Sequence, residues 1–220
     1  MKKSKKEKEN KKNRKSQLIE IGSFLIILIC LLTIGITLLL NVKTNKEDNK
    51  KIENFFNEQE VINTHNIDEV VNTDEDIKET PKINYSSEEY IAVLEIPKLN
   101  LKRGIYAKDS KLNNVDKNIK ILKESSMPDE EKGNVMLAAH SGTAYVSFFK
   151  NLPRLMYGEQ SIIYYQGRKY NYSLRNSYEI EKNGVAHIIR NNEKSTLTLI
   201  TCKHNTNKQL IYIFELINVE

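Results

Sequence analysis

The stretch Thr196-Leu197-Thr198-Leu199-Ile200-Thr201-Cys202, near the carboxyl end of the chain, decides the fold. Its β-branched and apolar residues are typical of a buried strand, and the polar segment 203–207 that follows predicts a loop. A cysteine therefore stands where a core strand becomes a loop. The only other cysteine, Cys30, lies in an apolar run far upstream, so Cys202 has no evident disulfide partner.

Two interpretations of Cys202 follow from the residues alone. An unpaired thiol outside the cytoplasm is a candidate reactive group, because its thiolate is a strong nucleophile. The alternative is a small buried hydrophobic side chain, which is common for free cysteine. A nucleophilic cysteine needs a base or a positive neighbour that keeps it as thiolate, so the histidines become the next candidates.

Among the histidines, His140 has the position that best suits a base. It ends the apolar stretch 135–139 and precedes Ser141-Gly142, which predicts a turn. If this strand and that of Cys202 are neighbours and run in the same direction, the two side chains meet at one mouth of a barrel. The alternative is a histidine that closes a turn by a hydrogen bond. The other three histidines lie in an acidic segment, between strands and in the loop after Cys202, at His65, His187 and His204.

The amino-terminal part of the chain predicts a membrane anchor. Residues 1–20 form a tail rich in Lys and Arg, and residues 21–40 carry no charge over about 20 residues, the length that a helix needs to cross a bilayer. The positive flank predicts a cytoplasmic amino terminus and an extracellular remainder. A cleaved signal peptide is the alternative, but the apolar run is long and no small-x-small cleavage site follows it. Anionic lipid is a nearer partner for the basic tail than nucleic acid, which we do not expect to bind.

Residues 41–89 are acidic, rich in amide side chains and poor in apolar residues. Such a composition predicts a flexible stalk, with short helical pieces around Ile52 to Phe56. The folded domain is expected at 90–220, where short β-rich stretches follow one another without a βαβ rhythm.

The predicted strands of this domain are separated by turns, with Gly167 marking a tight one. One helix is expected at Val146 to Met156, although Pro153 must kink or end it. The pattern predicts a mainly β fold, as a closed barrel or a sandwich. The expected strands are 90–96, 99–106, 134–139, 160–165, 168–180, 196–202 and 210–219.

At this point the chain resembles a known family. Thr198-Leu199-Ile200-Thr201-Cys202 is similar to the Thr-Leu-x-Thr-Cys signature of sortases, residues 134–141 resemble the segment that carries the sortase histidine, and residues 94–99 resemble an early strand of the family. The similarity covers residues 90–220. It implies a closed eight-stranded sortase-type β-barrel with one or two short helices, preceded by a transmembrane helix and a spacer.

The resemblance also implies an activity. Sortases are membrane-anchored cysteine transpeptidases of Gram-positive bacteria that cleave a Leu-Pro-x-Thr-Gly-like sorting signal of secreted proteins. Cys202 would attack the threonine carbonyl, His140 would give a proton to the leaving amine, and an amine of cell-wall precursor or of a pilin would resolve the thioacyl enzyme. No metal or cofactor is required for this chemistry; calcium activates some relatives and is not predicted for this chain.

One position departs from the family pattern. Sortases generally carry an arginine on the strand after the cysteine loop, and the alignment of that strand places Gln209 there; no arginine follows Cys202. Gln209 is a candidate neutral donor to the oxyanion, or else a plain surface residue. The groups that could supply positive charge instead are Lys203, Lys208, Arg175 and Arg190.

Two hypotheses compete with the transpeptidase. The missing arginine favours a membrane-tethered module that binds extended peptides with weak or no catalysis. An extracellular cysteine peptidase, which transfers the acyl group to water, is the other.

Overall fold

The computed structural model describes residues 2–69, 86, 88–183 and 185–220. The chain divides into two units, Met1–Glu47 and Asp48–Glu220. A long helix, α1 (Lys2–Glu69), begins the chain, and its part from Asp48 onward belongs to the second unit.

One helix in the described part of the chain is long and apolar enough to cross a membrane. It is the part of α1 from Gly22 to Gln59, and none of its most apolar window is buried in the protein. Large apolar side chains such as Phe24 and Leu39 lie exposed there. A lipid environment would cover these side chains, so the first unit is suited to be the predicted membrane anchor.

The second unit is built on eight strands joined in one sheet. They are β1 (Tyr90–Ile96), β2 (Leu101–Tyr106), β3 (Lys120–Ile121), β4 (Asn134–Ala138), β5 (Gln160–Tyr165), β6 (Arg168–Glu181), β7 (Thr196–Cys202) and β8 (Lys208–Val219). Their order is β2-β1-β5-β6-β8-β7-β4-β3, and the two edge strands approach each other, so the sheet forms a nearly closed barrel. The predicted eight-stranded β-barrel is confirmed.

The described strands form seven pairings. Six are antiparallel, and the pairing of β4 with β7 is parallel. Its register aligns Leu137 with Leu199 and Ala138 with Ile200. Leu137 and Leu199 are fully buried in the main core. Because the two strands run in the same direction, both end at the same mouth of the barrel.

Several predicted elements agree with the structure in detail. Strands β1 and β5 have the predicted bounds, and the β5–β6 hairpin turns at Gln166 and Gly167, whose φ angles of 48° and 73° suit a two-residue hairpin loop. The second strand begins later than predicted, at Leu101. A 3₁₀ turn at Pro97–Leu99 precedes it and ends with Asn100 in the left-handed region.

The predicted helix over Val146 to Met156 is wrong. This segment forms turns and one 3₁₀ turn, Leu152–Arg154. Pro153 cannot donate a backbone hydrogen bond, which explains why no α-helix forms. Phe149 and Leu152 are nevertheless fully buried, so the apolar spacing reflected core packing of an irregular segment. The two-residue strand β3, which pairs with Leu137 and Ala138 of β4, was not predicted from the sequence.

The predicted flexible stalk differs from the structure between Asp48 and Gln59. These residues are helical, and Ile52 and Phe55 are buried against the barrel in a cluster with Tyr90, Val93 and Tyr106. Ile52, Phe55 and Phe56 lie at helical spacing in an otherwise polar segment and form one packing face, which the average composition of the segment does not reveal. The predicted stalk residues 70–85 and 87 lie outside the described residues, and the domain boundaries stay a prediction.

Candidate active site

Cys202 is the last residue of β7 and lies half buried at the mouth of the barrel. Three hydrogen bonds fasten the end of β7 to the end of β4. The Thr201 hydroxyl donates to the Ala139 carbonyl at 2.8 Å, the Ala139 amide donates to the Ile200 carbonyl at 3.2 Å, and the Ser141 hydroxyl donates to the Cys202 carbonyl. The backbone that presents the thiol is therefore held on the β4 side.

His140 follows β4 at the same mouth. The last aligned pair of the parallel ladder is Ala138 with Ile200, and His140 and Cys202 each come two residues later. Both residues line one open cavity of about 550 Å³, together with the loop 203–207. The structure therefore brings together Cys202 and His140, the two residues predicted from the sequence, through the parallel pairing of β4 with β7.

The His140 imidazole has a carboxylate partner that sequence analysis did not find. Its Nε2 lies 3.0 Å from Oδ1 of Asp116, in the segment between β2 and β3. The two side chains are 42% and 76% exposed. A carboxylate in this place orients the ring. Because Nε2 faces Asp116, Nδ1 is the nitrogen that remains for a reacting group.

Gln209 lies beside Cys202 on the other flank. In the antiparallel β7–β8 ladder Cys202 is aligned with Gln209, and on its far side Gln209 is aligned with Ile180 of β6. Directly opposed residues of an antiparallel pair project from the same face. Gln209 is half buried, and its register places it next to the thiol.

The two arginines proposed as substitutes lie elsewhere. Arg190 donates to the Lys132 carbonyl at 3.1 Å and contacts Thr196, the first residue of β7. Arg175 pairs with Glu215 at 3.9 Å, and Glu215 is aligned with Thr196. Thr196 is six residues from Cys202, or about 20 Å along an extended strand. Neither arginine is therefore at the thiol.

The two lysines are close to the site and share one carboxylate. Lys203 donates to Glu179, and Lys208 lies 3.5 Å from the same side chain. The hydrogen bond from Lys203, with the charges of both lysines, holds the pKa of Glu179 below its usual value of 4.5. This pairing joins β6 to both sides of the loop between β7 and β8, and Glu179 and Lys203 line a cavity that Cys202 also lines.

Cys202 also borders a second cavity of about 470 Å³. Its walls include apolar side chains on β8 and on the segment after the 3₁₀ turn, namely Leu155, Leu210 and Tyr212. Burial, followed by the charge of Glu179, raises the pKa of Tyr212 to about 12. Ser141, Cys202, Lys203 and His204 line both cavities. The thiol therefore lies where two cavities meet, an arrangement suited to a substrate that extends in two directions.

Tyr178 fastens the segment between β6 and β7 at this second cavity. Its hydroxyl donates to the His187 carbonyl at 2.9 Å and accepts from the Ile189 amide at 2.7 Å. Burial raises the pKa of Tyr178, and the bond from the Ile189 amide opposes that rise. His187 thus contributes its backbone carbonyl to this contact with Tyr178.

Asp116, Ser141 and Tyr178 are the site residues that sequence analysis missed. Asp116 lies between asparagines in an irregular segment, where nothing in the local pattern relates it to a histidine 24 positions later. Ser141 was noted only as part of a turn. Among the residues that the structure describes, no group of three or more His, Cys, Asp or Glu side chains could hold a metal ion.

The fold and the site define a β-barrel protein in which a cysteine and a histidine meet at one mouth. The family model of the sortase domain matches residues 94–216, which is more than half of the chain, and this protein belongs to the sortase family. The search of curated proteins found no match.

Three solved structures illustrate the similarity of fold. A sortase D5 transpeptidase of Clostridium perfringens is 23% identical with a TM-score of 0.51, over 59% of this chain and 80% of that one. Sortase A of Listeria monocytogenes is 18% identical with a TM-score of 0.50, over 60% and 89%. Sortase C2 of pilus island 1 from Group B Streptococcus is 20% identical with a TM-score of 0.54, over 63% and 83%.

Proposed function

We propose that this sortase-family protein is a cysteine transpeptidase that cleaves a Leu-Pro-x-Thr-Gly-like sorting signal and transfers the secreted protein to an amine. The observation that carries the proposal is the parallel pairing of β4 with β7, which delivers His140 and Cys202 to one cavity. A nucleophile and a base at one mouth of a rigid barrel are what acyl transfer requires.

The reaction proceeds in two halves. The Cys202 thiolate attacks the threonine carbonyl and forms a C–S bond; the C–N bond to glycine then breaks while the His140 imidazolium gives its proton to the leaving amine. An incoming amine attacks the thioester, loses a proton to His140 and forms a new C–N bond, and the C–S bond breaks to restore the thiolate. The acceptor is an amine of cell-wall precursor or of a pilin.

The neighbouring residues support these roles. Asp116 holds Nε2 of His140, which leaves Nδ1 to exchange the proton. Gln209, aligned with Cys202, supplies a neutral amide donor for the oxyanion of the tetrahedral intermediate. The two cavities that meet at Cys202 receive the residues on either side of the scissile bond.

The protein acts at the cell membrane in this proposal. The apolar part of α1 anchors it as a single span, the basic tail remains in the cytoplasm, and the barrel works outside the cell. Its partners are secreted proteins with a sorting signal and the acceptor amine.

Replacement of the two reacting groups tests the function. In the full chain in detergent micelles, Cys202→Ala is expected to abolish cleavage of a sorting-signal peptide, and His140→Gln to lower kcat by about 10² to 10⁴ fold. Cys30→Ser and His187→Gln are matched controls and are expected to keep wild-type activity. Mass spectrometry of the enzyme mixed with peptide should show an acyl adduct on Cys202. Normal turnover by Cys202→Ala contradicts the proposal.

The arrangement at Gln209 favours one alternative, a peptide-binding module without catalysis. Such a protein binds the peptide, as measured by fluorescence anisotropy, but forms no adduct on Cys202.

Addition of triglycine separates transfer from hydrolysis, because a transpeptidase gives a peptide extended by triglycine and a peptidase gives the free acid alone.

A further inference from the structure

We propose that Arg103 is a positioning residue that ties the Asp48–Gln59 part of α1 to His140, so that this part of the helix sets the orientation of the imidazole. The catalytic consequence rests on the proposed function of His140. The orientation itself does not, because it can be measured without substrate.

The link begins at a buried ion pair between α1 and β2. Nη1 of Arg103 lies 2.7 Å from Oδ2 of Asp48, and the two side chains are only 11% and 7% exposed. The hydroxyl of Tyr90 donates to the other oxygen of Asp48, and burial together with this carboxylate raises the pKa of Tyr90. Gly104 permits this arrangement, because a Cβ at that position would overlap the Tyr90 ring. Both oxygens of the Asp48 carboxylate therefore bind side chains of the barrel.

Arg103 makes two further contacts with other parts of its guanidinium. Its Nε donates to Oδ1 of Asn118 at 2.9 Å, and its central carbon lies 4.3 Å from the centre of the Phe148 ring. Asn118 lies in the irregular segment between β2 and β3, which also carries Asp116, and Phe148 lies in the irregular segment that follows His140. One side chain thus joins a helix and two loops.

The first route from Arg103 reaches the imidazole. The Asn118 side chain, which Arg103 holds, also donates to the Gly104 carbonyl at 2.7 Å. The backbone amide of Asn118 donates to the Asn114 carbonyl at 2.8 Å. The side-chain oxygen of Asn114 accepts from the amide of Asp116 at 3.0 Å. Asp116 then contacts Nε2 of His140 at 3.0 Å. Each step is a hydrogen bond of ordinary length.

The second route reaches the backbone of the same histidine. Phe148, which stacks on Arg103, precedes Phe149, whose ring is fully buried in the core. The Phe149 amide donates to the His140 carbonyl at 3.0 Å. Both the ring and the main chain of His140 are therefore connected to the one guanidinium.

The first route ends at the contact of Asp116 with His140, and both of these side chains are exposed. This contact therefore needs support from the residues behind it. Exposed contacts between polar side chains, such as that of Asp116 with His140, fix side-chain geometry weakly. The buried contacts of Arg103 lie behind that pair and hold its loop. A planar guanidinium can bind a carboxylate, an amide oxygen and an aromatic face at once, which a lysine cannot do.

The test uses the full chain in detergent micelles. Asp48→Asn removes the charge that holds Arg103, and Arg103→Lys keeps a positive charge opposite Asp48 but lacks the Nε–H that Asn118 accepts. We expect each variant to lower kcat for the peptide by about tenfold, with KM within about twofold of the wild type. Glu53→Gln, the same kind of change on the exposed face of the helix, is the matched control and should leave kcat unchanged.

A substrate-free measurement keeps the proposal separate from the proposed function. The ¹⁵N resonance of His140 Nε2, assigned with His140→Gln, is expected to move in Asp48→Asn and Arg103→Lys toward its position in Asp116→Asn, and to stay in Glu53→Gln. Asp48→Asn combined with Asp116→Asn should move the resonance by less than the sum of the two single shifts, because both variants act on the contact of Asp116 with His140. An unmoved resonance in both Asp48→Asn and Arg103→Lys overturns the proposal, whether or not the peptide is cleaved.

Discussion

Gln209 lies directly across the β7–β8 ladder from Cys202, in the position that sequence similarity assigned to the family arginine. The nearest cations, Lys203 and Lys208, are engaged with Glu179, and both candidate arginines lie toward the other end of β7. The group aligned with Cys202 is therefore a neutral amide. A charged donor stabilises an oxyanion more strongly than a neutral one.

This comparison predicts a gain of activity. Gln209→Arg is expected to raise kcat by about fivefold, since a hydrogen bond from a charged group contributes about 1 kcal/mol more than a neutral one. Gln209→Leu, which has no donor, is expected to lower kcat by about 10² fold. Steady-state kinetics with a sorting-signal peptide measure both effects. Equal activity of Gln209→Leu and the wild type would show that Gln209 is a plain surface residue.

At the scale of elements, the Asp48–Gln59 part of α1 acts as a piece of the barrel domain. Its apolar face packs on β1 and β2, and its polar residues reach the strands at several points. Lys51 donates to the Tyr106 hydroxyl at 3.1 Å, and the Gln59 side chain accepts from the Gly167 amide. Phe56 packs edge to face on Tyr164, with ring centres 4.9 Å apart.

The packing of this helix predicts a large effect of one truncation. Phe55 is 2% exposed, so Phe55→Ala is expected to lower the free energy of unfolding by about 3 to 5 kcal/mol. Asn54→Ala, on the exposed face, should change it by less than about 0.5 kcal/mol. Urea unfolding followed by circular dichroism measures both variants. If they unfold alike, the helix does not stabilise the barrel.

At the scale of the whole molecule, the chain combines a helix suited to a membrane with a barrel that carries the site. The barrel directs one parallel pair, β4 and β7, to a single mouth, while antiparallel strands form the remainder of the wall. All of the groups proposed to act in catalysis project from this mouth or from the loops around it.

The proposed orientation predicts the labelling of Cys202 in intact cells. A membrane-impermeant maleimide is expected to label the wild type and Cys30→Ser, but not Cys202→Ser, because the barrel lies outside and Cys30 lies in the span. Gel shift with a maleimide polymer measures the labelling. Labelling of Cys202 only after the cells are lysed would show that the barrel lies inside the cell, contrary to the proposed orientation.

Local pattern was sufficient for seven of the eight strands and for the choice of Cys202 and His140 as the two candidate site residues. The run from Thr196 to Cys202 has the composition of a core strand, β1 ends where Pro97 requires it, and His140 and Cys202 each stand at the end of an apolar stretch. These are short-range properties of backbone propensity and side-chain burial, and residues close in sequence are sufficient to predict them.

The tertiary structure alone decided the contacts between distant segments. Asp48 and Arg103 are 55 positions apart, Asp116 and His140 are 24 apart, and the apolar spacing of residues 146–156 served an irregular core segment instead of a helix. Such contacts depend on how the barrel closes and on which faces meet, and residues close in sequence carry no record of that. The sequence therefore determined which groups stand ready for chemistry, and packing determined what orients them.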